Sequence, residues 1–216
     1  MATENLSPEQ ITELGNPRRP EGEAGAEMLR RMGESHAEVT AWGLQFLGDS
    51  AHARILDIGC GGGAALGRMA KMFPGSRLTG LDYSEVSVAE ASAANADWIE
   101  AGRMTILQGS VSEMPFADAA FDRITTVESF YFWPNPQKDL CEVRRVLAPG
   151  GRFLLIADIY GCDALSEHAR ENIRKYGLYN PDPQTFASLL KNAGFSDVYL
   201  HFQEGTTWIC AEGRVS

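Results

Sequence analysis

The amino-acid sequence predicts an α/β protein: a doubly wound, mostly parallel seven-stranded sheet that ends in an antiparallel hairpin, with a helical addition at the N-terminus. Three observations support this fold class. Short apolar segments alternate with helical patterns over residues 54–193, as in parallel sheets covered by helices. A glycine-rich turn follows the first strand, and the link 203–206 is too short for a parallel crossover.

The first 50 residues are predicted to form a helical extension that caps the core domain, which covers residues 51–216. Apolar residues recur at helical spacing in this extension. Ser35 with Glu38 has the spacing of a capping box. His36 is therefore expected to be an exposed residue in the first turn of a helix.

The core domain is predicted to alternate between strands and helices. Five parallel strands are expected at residues 54–58, 77–82, 104–108, 121–127 and 153–157, and the hairpin strands at 198–202 and 207–211. Helices are expected to begin after the cap residues Ser84, Asn135 and Asp182. A proline and two glycines at 149–151 are expected to separate a helix from the fifth strand.

Composition and charge argue against several classes of function. The chain has 216 residues, 44% of them hydrophobic, and a net charge of −10, which disfavours nucleic acid or an anionic membrane as partner. No apolar run approaches the roughly 18 residues of a membrane span, and no signal-peptide core is found. The scattered cysteines predict reduced thiols, a cytoplasmic location and no metal site. They are Cys60, Cys141, Cys162 and Cys210.

The most informative segment is the turn after the first strand. Asp57 is followed by Gly59, Gly61 and Gly63, and a helical segment begins immediately after them. Glycines let a ligand approach bare backbone N–H groups at a helix N-terminus, so this turn predicts a nucleotide cradle. Residues 59–64 fit the loose G-x-G-x-x-A pattern of dinucleotide-binding proteins, and counted from Asp57 the segment has the form D-x-G-x-G-x-G.

The two cofactor classes that fit this turn differ in charge. A dinucleotide brings a pyrophosphate, which Asp57 would repel. S-adenosylmethionine (SAM) brings an ammonium and a sulfonium cation, which Asp57 would favour directly or through bonded partners. Asp82 ends the second strand about 20 residues after the glycines, where an acid accepts hydrogen bonds from ribose hydroxyls. The glycine pattern alone leaves both classes open.

Five segments in order resemble the motifs of the class I SAM-dependent methyltransferases, over about residues 51–211. The glycine turn is similar to motif I, and Asp82 matches the acidic residue of the second strand. Residues 108–111 match the adenine turn, 121–128 match motif IV, and 145–153 match the turn before the fifth strand. The resemblance implies a Rossmann-like sheet, SAM as cofactor, and similarity to the subgroup that contains ubiquinone and menaquinone C-methyltransferases.

The resemblance also assigns the cofactor site. The glycine turn would hold the methionine part, Asp82 the ribose, and the turn after the third strand the adenine. Ser110 stands where the family commonly has an aspartate, and its hydroxyl can still bind the exocyclic amine. The residues expected to bind the cofactor are Asp57, Gly59, Cys60, Gly61, Gly63, Asp82, Tyr83, Ser84, Ser110, Val111 and Glu128.

The acceptor pocket is expected between the N-terminal helices, the aromatic segment 129–133 and a partly helical lid at 160–181. Aromatic side chains favour an apolar or aromatic acceptor, or a cation held against a ring. Glu128 and Tyr131 are the candidate catalytic residues. The pocket is predicted to include His36, Trp42, Tyr131, Trp133 and Tyr160.

The sequence therefore predicts an enzyme that methylates a small molecule with SAM, at carbon or oxygen more than at nitrogen. Two alternatives stay open: an NAD-dependent oxidoreductase, which the glycine pattern allows, and a non-catalytic SAM-binding protein whose acceptor pocket is blocked. No nucleic acid, metal or membrane span is predicted, and the sequence makes no prediction of the oligomeric state.

Overall fold

A computed structural model describes residues 6–216, so residues 1–5 of the predicted extension lie outside the described part of the chain. The fold is built on one sheet of seven strands. These are β1 (Arg54–Ile58), β2 (Arg77–Asp82), β3 (Met104–Gln108), β4 (Phe121–Val127), β5 (Leu147–Ala157), β6 (Asp197–Phe202) and β7 (Ile209–Arg214). Their order is β3-β2-β1-β4-β5-β7-β6. The first five strands are parallel to one another, and β7 is antiparallel to β5 and β6, which confirms the predicted fold.

Nine α-helices are described between residues 6 and 216. They are α1 (Pro8–Gly15), α2 (Gly22–Ser35), α3 (Ala37–Leu44), α4 (Ala64–Met72), α5 (Glu85–Ala94), α6 (Ala96–Glu100), α7 (Pro136–Val146), α8 (Glu167–Tyr176) and α9 (Pro183–Asn192). The predicted caps Ser84, Asn135 and Asp182 each accept a hydrogen bond from the backbone N–H three residues later. None of the described helices is long and apolar enough to cross a membrane.

The sheet separates two hydrophobic clusters because consecutive strand residues point to opposite faces. Ile55 belongs to the cluster with Leu66 of α4, and Leu56 belongs to the other cluster with Val143 of α7. Each of these four side chains is at most 2% exposed. Strand order reverses between β1 and β4, and ligands of such folds bind beyond the carboxyl ends of the strands at this point.

Three boundaries differ from the sequence prediction. Strand β7 spans Ile209–Arg214 rather than 207–211, because pairing with β5 continues to Arg214, while the Thr207 hydroxyl donates to the Asp158 carbonyl before the strand begins. Ser35 does not cap a helix: its hydroxyl donates to the carbonyl of Met32, and α2 runs on to Ser35. His36, with φ of −93° and ψ of 14°, joins α2 to α3, so it lies at a helix junction and is not an exposed first-turn residue. Strand β5 begins at Leu147, so residues 149–151 lie inside it, where Gly150 has a φ of +73° and the register with β4 shifts. The cause is a local break in the register with β4, where the Gly150 N–H donates to the Val215 carbonyl and the Val215 N–H donates to the Gly151 carbonyl, contacts that local turn propensity does not reveal.

The N-terminal segment is attached to the carboxyl edge of the sheet by specific bonds. The buried Ser84 hydroxyl donates to the Pro20 carbonyl over 2.8 Å. The Arg18 guanidinium donates to the carbonyls of Tyr176 and Gly177 at the end of α8. Helix α2 contacts α5, and α3 contacts β5. These contacts place α2 and α3 over the edge where ligands of this fold class bind.

Candidate functional site

The glycine turn joins β1 to α4 in a conformation that favours glycine. Gly59, Gly61 and Gly63 have φ of +68°, +51° and +78°, values that other residues adopt only with strain. A Cβ on Gly59 would lie 2.2 Å from the Ser129 hydroxyl, and one on Gly63 would lie 2.5 Å from the Asn95 amide nitrogen. Gly63 is also the N-cap of α4. The turn therefore presents backbone at the helix N-terminus, as a nucleotide cradle requires.

Asp82 connects the end of β2 to this turn. One carboxylate oxygen accepts the Gly61 N–H over 2.9 Å, and the other accepts the Ser84 N–H over 2.9 Å. Burial raises the pKa of this carboxyl, although these hydrogen bonds oppose the rise. Each oxygen keeps a further lone pair, and the residue lines the cavity described below. Asp82 is thus held where it can accept hydrogen bonds from ligand hydroxyls.

Asp57 is the second acid at the turn and is almost completely buried, with 1% of its surface exposed. The Thr125 hydroxyl donates to it over 2.7 Å. The pKa of Asp57 is raised to about 7, mainly by burial; the Thr125 hydrogen bond opposes the rise and the nearby charge of Asp82 adds to it. Two neighbouring acids make the site unfavourable for a pyrophosphate and favourable for a cation.

A cavity of about 520 Å³ extends from the glycine turn to the N-terminal helices. This volume lies within the usual range of small-molecule sites. Its apolar lining includes Met28, Leu29 and Met32 of α2 together with Phe132 and Trp133. The cavity thus combines polar groups at the strand termini with apolar side chains of α2, and Leu29 lies directly over the glycine turn.

Most of the predicted cofactor residues line this cavity. Those on its wall are Asp57, Gly59, Cys60, Gly61, Asp82, Tyr83, Ser110, Val111 and Glu128. Gly63 and Ser84 are not on the wall, because the first caps α4 and the second is buried against Pro20. The Ser110 hydroxyl accepts the Ser112 N–H over 3.2 Å, so it also stabilises its own turn. Burial raises the pKa of the Cys60 thiol well above its usual value, so this cysteine stays protonated.

The predicted acceptor residues divide into two groups. His36 and Trp133 line the cavity. Trp42 lies instead in an aromatic cluster, 5.4 Å from the Phe46 ring, and Tyr160 lies 5.5 Å from the Phe202 ring. Tyr131 is buried behind Glu128 rather than on the wall. The loop at 160–181 contains α8 and is therefore partly helical, as predicted.

Four polar side chains meet where β4 and β5 end. The Tyr131 hydroxyl lies 3.3 Å from Glu128 Oε2 and 3.3 Å from Asp158 Oδ1, and the Asp158 N–H donates to Glu128 Oε1. His36 Nε2 lies 3.8 Å from Glu128 Oε2 and 3.9 Å from Asp158 Oδ2. We call these four residues the β4–β5 cluster.

The backbone and charge of this cluster are both unusual. Glu128 has a φ of +54°, and non-glycine residues in this region concentrate at functional sites. Burial and the charge of Asp158 raise the pKa of Glu128 well above its usual value. Burial lowers the pKa of His36, although Asp158 opposes this effect. A neutral imidazole beside carboxyl groups is a suitable proton acceptor.

Sequence reasoning missed Asp158 and the α2 wall. Asp158 follows β5 directly, as Glu128 follows β4, and the carboxyl ends of adjacent parallel strands meet at one edge. That signal was available in the sequence. The α2 residues Met28, Leu29 and Met32 showed only a helical apolar face, which does not reveal the partner that it covers.

Comparisons with known proteins give a consistent family. The family described as "Methyltransferase domain" matches residues 56–155. The O-methyltransferase resE of Aspergillus sclerotiorum is 32% identical over 69% of this chain and 57% of its own length. The ubiquinone/menaquinone biosynthesis C-methyltransferase UbiE of Paracoccus denitrificans is 28% identical over 67% of this chain and 66% of its own length. A SAM-dependent methyltransferase structure from Aquifex aeolicus has a TM-score of 0.68 at 18% identity and covers 98% of this chain and 100% of its own.

The sequence similarity and the structural similarity support different conclusions. The chain aligns with 31% to 57% of the length of the first curated relatives, so it spans only part of them. The structural likeness, at 18% identity, supports the fold alone. The family match covers the glycine turn, Asp82, the adenine turn and Glu128, and SAM is the cofactor of this family. Residues 56–155 match the methyltransferase-domain family, and these findings together support a class I SAM-dependent methyltransferase.

Proposed function

We propose that this protein transfers the methyl group of SAM to a small-molecule acceptor, at carbon or oxygen. One observation supports this most directly: a single cavity runs from the glycine turn to an apolar wall formed by α2. A site for the cofactor alone would not need that wall. The O- and C-methyltransferases among the relatives act on small molecules by their names, which supports the same class of acceptor.

The residues at the strand ends fit the chemical groups of SAM. The turn offers backbone N–H groups, Asp82 offers lone pairs to hydroxyls, and Asp57 offers a carboxyl near the end where a cation would lie. The bound cofactor would supply an electrophilic methyl group. The buried surroundings of Asp57 keep water out and strengthen its attraction for a positive charge.

At the other end of the cavity, the protein's task is geometric. The side chains of Met28, Leu29, Met32 and Trp133 form an apolar surface that would hold an acceptor against the carboxyl edge of the sheet. Holding two reactants in attacking geometry can contribute roughly 7–11 kcal/mol to a reaction barrier. Glu128 and Tyr131 stay our candidates for residues near the reacting atoms.

Two alternatives have less support. An NAD-dependent oxidoreductase has no support from the family match or the relatives, and the acids Asp57 and Asp82 oppose a pyrophosphate. A non-catalytic SAM-binding protein is expected to have a blocked acceptor pocket, whereas the cavity here extends beyond the cofactor residues. We also propose that residues 1–50 form the cap and residues 51–216 the SAM-binding domain, since the described part of the cap contributes the apolar wall.

The proposal is tested in two stages. Calorimetry with SAM, S-adenosylhomocysteine and NAD should show binding of the first two and not of NAD. A metabolite library incubated with protein and methyl-labelled SAM should then yield a labelled product with the label on carbon or oxygen. Binding of NAD without SAM would replace the proposal by the oxidoreductase alternative, and SAM binding without any labelled product would favour the non-catalytic alternative.

A further inference from the structure

We propose that His36 is the general base of the methyl transfer and that the acceptor is an apolar compound whose hydroxyl group loses its proton to this imidazole. Glu128, Asp158 and Tyr131 are assigned as positioning residues for His36. This inference rests on the proposed function, because it concerns the acceptor end of the same cavity.

The position of His36 supports a role beyond packing. It joins α2 to α3, and its imidazole lines the cavity with 23% of the side chain exposed. On the α2 side its neighbours Met28, Leu29 and Met32 are apolar. The imidazole is therefore a basic group on the cavity wall, with apolar side chains of α2 on one side and the acids Glu128 and Asp158 on the other.

Two contacts orient the His36 ring: a hydrogen bond to the Met32 backbone and the acids of the β4–β5 cluster, which Nε2, the nitrogen proposed to accept the proton, faces. Nε2 of His36 faces Glu128 Oε2 at 3.8 Å and Asp158 Oδ2 at 3.9 Å, distances that are longer than a hydrogen bond but close enough for strong charge interaction. Tyr131 holds this pair of acids together, because its hydroxyl contacts both and also accepts the Ile159 N–H. These three titratable groups face His36 from the ends of β4 and β5.

The charges of the cluster suit a proton transfer to His36. Burial lowers the pKa of the free imidazole, so it is neutral and able to accept a proton at neutral pH. Once His36 is protonated, the imidazolium faces Asp158, whose charge favours the cationic form. Burial and the charge of Asp158 raise the pKa of Glu128, which reduces the negative charge beside Asp158. A proton on His36 is thus accommodated without an unpaired buried charge.

The methyl transfer is a single displacement in which one bond forms as another breaks. The acceptor oxygen uses an electron pair to form the bond to the methyl carbon, and the carbon–sulfur bond breaks with its pair left on sulfur. The hydroxyl proton moves to His36 and later to solvent. A hydroxyl in an apolar cavity needs such a base because its neutral oxygen is a weak nucleophile, whereas a neutral amine already carries a reactive pair.

The first test measures His36 itself. Carbon-13 and nitrogen-15 NMR of the imidazoles, with His36→Gln to assign the signal, should give a His36 pKa below the ordinary histidine value in the complex with S-adenosylhomocysteine. Asp158→Asn should lower this pKa further, because it removes the charge that favours the imidazolium. A His36 pKa at the ordinary value, or one unchanged by Asp158→Asn, would overturn the assignment of Asp158 as its partner.

The second test uses two matched acceptors: 2-naphthol, which carries a hydroxyl group, and 2-naphthylamine, which carries an amine. With 2-naphthol and methyl-labelled SAM, single-turnover transfer should fall by about 100-fold or more in His36→Gln, in line with the usual contribution of a general base. SAM affinity should stay within about twofold in this variant. The rate of the natural protein should rise with pH along the NMR titration of His36, and the variant should lack this rise. His52→Gln, at the opposite edge of the sheet, is the matched control and should behave as the natural protein.

Failure of this inference can be separated from failure of the proposed function. Loss of SAM binding in the natural protein would refute the proposed function. Intact SAM binding with transfer to 2-naphthylamine but not to 2-naphthol would overturn only the hydroxyl acceptor. Equal rates in His36→Gln and the natural protein would overturn the base, as would a rate that a metal chelator abolishes.

Discussion

Asp57 gives the sharpest prediction, because its pKa links the stability of the ligand-free protein to pH. The pKa rises from about 3.9 in the unfolded chain to about 7 in the folded protein. The folded protein therefore holds this proton more tightly, and the contribution to stability is complete below about pH 4 and is lost as pH rises through 7. About 3 pKa units correspond to about 4 kcal/mol in the free energy of unfolding.

Asp57→Asn removes this titration while keeping an oxygen that can accept the Thr125 hydroxyl. We expect urea unfolding between pH 4 and pH 8 to show a fall of about 4 kcal/mol in the natural protein relative to the variant. The extra buried N–H groups of asparagine lower the variant's stability by about 1–3 kcal/mol at every pH. The titration of Asp57 is therefore read from the pH dependence of the free energy of unfolding and not from its absolute value. Asp82 and Glu128, whose pKa values are also raised, titrate in both proteins and largely cancel.

A control and a ligand check complete this experiment. Asp122 pairs with Arg54, which lowers its pKa, so its contribution to stability is lost only as pH falls below about 4, and Asp122→Asn should leave the slope between about pH 5 and pH 8 unchanged. Saturating SAM should reduce the fall seen in the natural protein, because a nearby cation favours the ionised carboxylate. Parallel stability curves for the natural protein and Asp57→Asn over the whole range would refute the reasoning.

Three further predictions concern the cavity. Asp82→Ala should weaken SAM binding by about 1.5–3 kcal/mol in calorimetry, the usual worth of hydrogen bonds to a charged group. Gly61→Val should abolish SAM binding, because the turn has a φ of +51° and a branched side chain would enter the space beside Leu29 where the ligand meets the backbone. Trp133→Ala should alter the KM for the acceptor, whereas Trp42→Ala should lower thermal stability and leave SAM affinity within about twofold, since Trp42 packs on Phe46 and not on the cavity wall.

Each of these predictions has a contradicting result. An unchanged dissociation constant for SAM in Asp82→Ala would remove Asp82 from the cofactor site. Near-normal affinity in Gly61→Val would show that the ligand does not approach the backbone there. A change in acceptor KM in Trp42→Ala without one in Trp133→Ala would reverse their placement relative to the acceptor.

Much of the cofactor end of the site follows from local sequence. A buried strand, a glycine turn and a helix are consecutive in the chain, so residues 54–72 predict the cradle, which Leu81 and Asp82 of β2 then stabilise by hydrogen bonds. Asp82 follows from the same logic, because it ends the next parallel strand and must reach the same edge. The hairpin at the C-terminus is also local, since a short link leaves only antiparallel pairing.

The acceptor end depended on contacts between distant segments. In the chain, several strands lie between His36 and the acids Glu128 and Asp158. Only the packing of α2 and α3 over the strand ends brings the three residues together. The inclusion of residues 149–151 in β5 likewise depends on a distant segment, because Gly150 and Gly151 form backbone hydrogen bonds with Val215. Local periodicity shows which face of a helix or strand is apolar. Which element packs against that face depends on the free energy of the whole fold. For that reason the sequence by itself determined the cradle, and only the tertiary structure decided which side chains surround the acceptor.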